Sequence, residues 1–228
     1  MRLLIVNPNT SDGVTARIRA AAEAVARPGD RFTTVSAAFG PHLIVTEEDA
    51  TAATEGVLAA VAQHDEEIDG IVLASFGDTG AESLRLRYPE TLIIGIAEAA
   101  FAAARHIGGR FAIVTFAPEV VPSLRMMAER HGMAESLTQI AAVPRPLSHD
   151  PAKVADLLFD ELRELCLTSV SEDTACIIIG GGPLAGLAGR LRPSCPVPLV
   201  DGTQAAIAQL RSLRQAAIPP TAKQPFGK

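Results

Sequence analysis

Eight short runs of β-branched and other apolar residues recur along the chain, each followed by a longer stretch rich in alanine and leucine at helical spacing. Short apolar runs bounded by turn formers read as buried strands, and apolar positions repeating every three or four residues read as one face of a helix. The pattern predicts strands at 2–7, 31–36, 69–74, 91–95, 110–115, 137–142, 174–180 and 197–201, the sixth being the least regular, with helices between them. Strands that alternate with helices pair in parallel through right-handed crossovers, so the fold class is α/β. Several helix starts are marked by residues that bond to free amides of a first turn: Ser11 and Asp12, Thr46 ahead of "EEDATAATEGVLAAVAQH", and Asp150 with Pro151 at the first helical position. Residues 216–228 show no periodicity and are read as a frayed tail.

The pattern also repeats. "GIVLASFGDTG" overlays "CIIIGGGPLAG" with Ser75 on Gly181, a shift of 106 residues, and the same shift puts Gly95 on Asp201. The stretch around Val6 overlays that around Val114 at nearly the same spacing. A duplication predicts two pseudo-symmetric lobes, each a roughly four-stranded parallel sheet flanked by helices: residues 1–96 with 203–215, and residues 97–202. The helices after Gly95 and after Asp201 are expected to be exchanged between the lobes. Ligands of open parallel sheets bind beyond the strand C-terminal ends, so the cleft belongs between the lobes.

Composition narrows the function. A chain of 228 residues buries about 70% of its unfolded surface, enough to fold without staples. Cys166, Cys176 and Cys195 are irregularly spaced, which argues against a disulfide framework or a structural zinc. A net charge of −6 with scattered lysine and arginine argues against nucleic acid. The opening "MRLLIVNPNT" has too short an apolar run for a leader or a membrane span, so a cytoplasmic protein is expected, read as a homo-oligomer. His64, His106, His131 and His149 lack metal-ligand spacing and read as surface or capping groups.

The residues expected at the strand ends are mostly small: Asn7, Pro8 and Asn9, Ser75 to Gly80, Thr115 and Phe116, and Gly180 to Pro183. Glycine-bearing strand-to-helix turns leave N–H groups unpaired, where carboxylate, enolate or imide oxygens are stabilised. "GGGPL" matches neither the phosphate loop nor the dinucleotide turn, so no cofactor is expected. Ser75 reads as a donor to a ligand oxygen, as a cap, or as a nucleophile, with no GxSxG elbow to support the last. Asp78 reads as a turn brace or a base. Glu98 reads as a buried hydrogen-bonding group or a catalytic one. Asn7, Asn9, Thr10 and Thr115 read as turn and capping residues or as ligand contacts.

With "VNPNTS" at Val6 to Ser11, "GP" at Gly40 and Pro41, "FGD-x-G" at Phe76 to Gly80, "GIAEAA" at Gly95 to Ala100, "GGRFAIVT" at Gly108 to Thr115 and "VDG" at Val200 to Gly202, the chain resembles the aspartate/glutamate/hydantoin racemase superfamily, closest to its hydantoin and allantoin branch. The resemblance implies two lobes, no cofactor, and two cysteines, one per lobe, that remove and return a proton on opposite faces of an acidic carbon. Those cysteines fall at Ser75 and Gly181, so both thiols are missing here, and cysteines restored at both positions are expected to bring proton exchange back. The resemblance also places Asn7, Asn9, Thr10 and Thr115 around the ligand and His42 beside it, and Phe76, Gly77, Gly182 and Pro183 join them on the glycine turns. The expected function is cofactor-independent chemistry on a hydantoin-like ring or small carboxylate through an enolate, with racemisation replaced by decarboxylation or hydrolysis. The other is a non-catalytic binding protein that keeps the cleft. In either case the partner is a small anionic or imide molecule, and Ser75, the vacant position 181, His42 and Asp78 are the candidate catalytic positions.

Overall fold

The computed structural model describes residues 1–147 and 150–217. In chain order it runs β1 (Arg2–Asn7), α1 (Asp12–Glu23), β2 (Arg31–Ser36), α2 (Glu47–Ala62), β3 (Gly70–Leu73), α3 (Ala81–Arg87), β4 (Ile93–Gly95), α4 (Ile96–Ile107), β5 (Arg110–Thr115), α5 (Val121–Arg130), β6 (Leu137–Ala142), α6 (Val154–Leu157), α7 (Phe159–Thr168), β7 (Thr174–Ile179), α8 (Leu187–Leu191), β8 (Leu199–Asp201) and α9 (Gly202–Ala217). The strands form two parallel sheets of the same design, β2-β1-β3-β4 and β6-β5-β7-β8. Each expected strand is found. β3 is one residue shorter at each end and β7 one shorter at its end, while β4 and β8 start two residues later for a local reason: the Thr91 amide turns back to the Tyr88 carbonyl, and Pro198 has no N–H for a ladder, though its carbonyl still accepts from Ile177.

Ser11 caps α1, and Thr46 caps α2 in a reciprocal box with Asp49. The expectation of a helix starting at Pro151 is corrected. Asp150 accepts from the Ala152 amide and closes a turn, and α6 begins only at Val154. The tail from residue 218 and His149 lie outside the described residues.

The two sheets are joined through α4 and α9, which follow the last strand of each and lie against one another. Helix α4 reaches β7 and β8 of the second sheet, while α9 reaches β3 and β4 of the first. Leu210 on α9 covers Gly70 of β3, where a Cβ would meet its methyl at 3.1 Å. Arg211 and Arg214 on α9 pair with Asp30 and Asp69 beside the first sheet. Phe101 of α4 is fully buried and meets Phe76 and Phe111 edge-on, with centroids 5.8 and 5.9 Å away. Burying one such ring contributes about 1.5–3 kcal/mol, here shared between both halves of the core.

Candidate functional site

The turns after β3 and β7 approach each other so closely that a Cβ on Gly182 would stand 2.7 Å from the Ala74 carbonyl oxygen. Beside this contact opens a cavity of about 630 Å³, bounded by Ser75, Phe76, Gly77 and Thr79 on one side and by Phe116 and Gly180 to Gly182 on the other.

On the first side, Ser75 Oγ donates to Thr79 Oγ1 at 3.1 Å and accepts from the Thr79 amide at 3.2 Å. Its hydroxyl therefore closes the turn that leads to Gly80, a left-handed residue (φ 86°) at the start of α3. Gly186 repeats that conformation (φ 82°) before α8, at the shift of 106 residues. The amides of Phe76, Gly77, Gly181 and Gly182 donate to no acceptor among the described residues. All four residues line the cavity.

On the second side, Thr115 Oγ1 donates to the Gly180 carbonyl at 2.8 Å and locks the ends of β5 and β7 together; the threonine is fully buried and off the cavity wall. Gly181 has φ 127°, and a Cβ there would lie 2.7 Å from the Phe116 ring. The expectation that a cysteine fits at 181 is thus corrected: the backbone is one that residues with a Cβ rarely adopt, and Phe116 fills the side-chain space. Pro183 is buried and does not reach the cavity.

After β1, Asn7 is wholly committed. Its Nδ2 donates to Asn9 Oδ1 and Thr15 Oγ1, and its Oδ1 accepts from the Asn9 amide. Asn9 Oδ1 also accepts from Ser11, whereas its Nδ2 donates to nothing among the described residues, and Asn9 lines the cavity. Thr10 is an anchor: its amide and its Oγ1 both donate to the Pro41 carbonyl, at 3.0 and 3.3 Å. That pins the loop whose residues Leu43, Ile44 and Val45 form an apolar wall.

His42, in the same loop, is exposed and off the wall. Asp78 also lies away from the cavity. It holds φ 48°, accepts from the Ala97 and Glu98 amides at 2.9 and 3.0 Å, and so caps α4. His131 is the C-cap of α5, in keeping with the capping role expected, and it also stacks near Phe101 with Nε2 3.4 Å from Asp78 Oδ2. Asp78, His131 and Glu98 border a second, more polar hollow of about 760 Å³, where Glu98 pairs with Arg85. Asp201 receives the Gly186 and Gln204 amides, and burial pushes its carboxyl pKa up despite those bonds. Burial also pushes the Cys166 thiol up to about 12 and Cys176 up to about 11, so both stay protonated and serve as packing.

No lysine, arginine or histidine lines the cavity among the described residues; its titratable residues are Glu47 and Glu119, both exposed at its edge. The remaining wall is Thr46, Ala50, Val120, Pro122, Ser123, Leu124 and Met126. The turn residues, Thr79 among them within Ser75 to Gly80, were legible from the sequence, but these walls were not. The run "LIVT" inside a loop was the one signal, since apolar residues outside a strand need a surface to cover.

A family model described as Asp/Glu/hydantoin racemase matches residues 3–210. The chain is 29% identical to a hydantoin racemase of Pseudomonas sp. (strain NS671) across 91% of this chain and 83% of that one. It superposes on an allantoin racemase from Klebsiella pneumoniae with a TM-score of 0.87 and 34% identity, covering 96% of this chain and 89% of the other. An allantoin racemase from Pseudomonas fluorescens gives 0.84 and 25%, covering 100% and 98%.

Proposed function

Since the chain belongs to the Asp/Glu/hydantoin racemase family, we propose that its cleft takes an uncharged hydantoin-like ring bearing an apolar substituent, and stabilises the enolate of that ring without inverting its carbon through two thiols. The observation that carries this reading is the pair of turns at Ser75 and Gly181: unpaired amides on both, a hydroxyl committed to Thr79 on one, and a glycine closed off by Phe116 on the other.

Oriented amides in a water-poor site favour developing charge on a carbonyl oxygen, an effect worth about 3–4 kcal/mol per donor. Ring carbonyls held by the Phe76 and Gly77 amides, with Asn9 Nδ2 as a further donor, suit that role. The wall of Leu43, Ile44, Val45, Val120 and Met126 suits an alkyl or aryl substituent. A dicarboxylate fits less well, because among the described residues no cationic side chain lining the cavity offsets its charge, and Glu47 and Glu119 add negative potential. A racemase needs a base on each face of the carbon, and a serine hydroxyl without a partner base does not supply one near neutral pH, so the C5 proton given up as the enolate forms passes to solvent water or hydroxide and returns from it.

The test uses 5-benzylhydantoin. Calorimetry should register binding, NMR should follow deuterium exchange at C5, and polarimetry should show no loss of rotation beyond the solvent background. Brisk racemisation by the unmodified protein overturns the reading. Binding with no exchange above background favours the second reading, a small-molecule binding protein that keeps the cleft; the committed Ser75 proton and the closed slot at Gly181 speak for it.

A further inference from the structure

We propose that Thr79 is the hydroxyl that binds the ligand in this cleft, and that Ser75 is the positioning residue that aims it. Thr79 is 5% exposed and borders both the main cavity and the second hollow, so it stands in the partition between them. The geometry between the two hydroxyls admits only Ser75 as donor, with Thr79 Oγ1 accepting at 3.1 Å. Ser75 Oγ in turn accepts from the Thr79 amide. Both of Ser75's roles are thus spent on Thr79. The Thr79 hydroxyl keeps its own proton, for which the described residues offer no acceptor.

A buried hydroxyl whose proton lacks an acceptor is destabilising, and the acceptor within reach is whatever fills the cavity. A hydroxyl that already accepts one hydrogen bond is polarised to donate another, so the pair acts as a short chain ending at a ligand oxygen. The chemical class that matches is a carbonyl or oxyanion acceptor, and a ring nitrogen bearing hydrogen does not match. Gly77 keeps the approach open: a Cβ there would meet Thr79 Oγ1 at 3.5 Å.

The inference rests on the reading of the cleft as the ligand site, and the test separates the two. Two probes carry the same apolar group, 5-benzylhydantoin and phenylacetate, and both are titrated by calorimetry into the unmodified protein, Thr79→Val, Thr79→Ser, Ser75→Ala and the Ser75→Ala/Thr79→Val pair. Thr79→Val should weaken binding roughly tenfold, Thr79→Ser should restore it, and Ser75→Ala should weaken it less and add nothing once Thr79 is valine. Unfolding curves identify any variant that has lost its fold, and for those Thr79→Ser decides by keeping the hydroxyl. Hydantoin bound with this dependence supports both statements. Phenylacetate alone bound with this dependence overturns the ring reading and leaves Thr79 standing. A probe bound equally by Thr79→Val overturns the role of Thr79, and binding of neither probe overturns both.

Discussion

The carboxylate of Asp78 occupies the space that a side chain on Gly95 would need: a Cβ there would lie 1.9 Å from Asp78 Oδ1. From that place it caps α4 through the Ala97 and Glu98 amides. The other half of the molecule makes a similar link from a different position, since Leu184 stands where the repeat puts Asp78. Asp201, at the position equivalent to Gly95, reaches back to the amide of Gly186 and to the start of α9. In both halves a carboxylate ties the turn beside the cavity to the helix that crosses to the other sheet, and a glycine stands opposite it.

The first prediction follows from that fit. Gly95→Ala should cost about 1–3 kcal/mol, because it displaces a cap and strands a carboxylate. Asp78→Asn should cost less, as asparagine tolerates the left-handed backbone and still accepts one bond. Urea unfolding measures both, and a Gly95→Ala protein within about 0.5 kcal/mol of the parent removes the link from consideration.

The missing bases give a second. Ser75→Cys should speed deuterium exchange at C5 of 5-benzylhydantoin beyond that of the unmodified protein, for one enantiomer and without inversion, since the thiol is a base near neutral pH on one face only. Gly181→Cys should instead destabilise the fold by about 1–3 kcal/mol, and Phe116→Ala in the same protein should recover part of that loss. NMR exchange rates and thermal unfolding decide; a stable, unstrained Gly181→Cys protein contradicts the account of Phe116.

The third concerns acid. Burial opposes ionisation of Asp30, yet the Arg27 amide, the N-terminal ammonium and Arg211 hold its pKa down to about 2; Asp69 is lowered against burial by the Arg2 amide, Arg214 and Arg2. A carboxyl whose pKa is lower in the folded state contributes stability above its unfolded value of about 4. That contribution is lost as pH falls from there toward about 2. The parent should lose stability steeply across this range, and Asp30→Asn should flatten the slope.

The fourth tests the division into lobes 1–96 with 203–215 and 97–202, which we propose from the helix exchange. Arg211→Ala with Arg214→Ala should loosen α9 from the first sheet, lowering stability by about 1–2 kcal/mol. Hydrogen exchange should quicken in β3 and β4 while β5 and β7 stay protected. Uniform loosening of both sheets speaks against the exchange.

How much of this was written in the sequence depends on the range of the forces involved. Strand and helix positions come from local periodicity and caps, which is why the boundaries at Arg2–Asn7, Arg31–Ser36, Arg110–Thr115 and Leu137–Ala142 were readable along the chain. The repeat was readable as well, because two copies of one pattern demand two copies of one sheet. The small residues at the strand ends followed from it. What the chain did not state is which of those small residues face the cavity. Asn7 and Thr115 look like ligand contacts by position, but neighbours take all or most of their hydrogen bonds, while Asn9 and Thr79 each keep a donor with no acceptor among the described residues. Nor did it reveal that Phe116 fills the space beside Gly181, or that Thr10 pins an apolar loop over the site. Those are contacts between segments tens of residues apart, fixed only when packing brings them to van der Waals distance, and no local pattern encodes them.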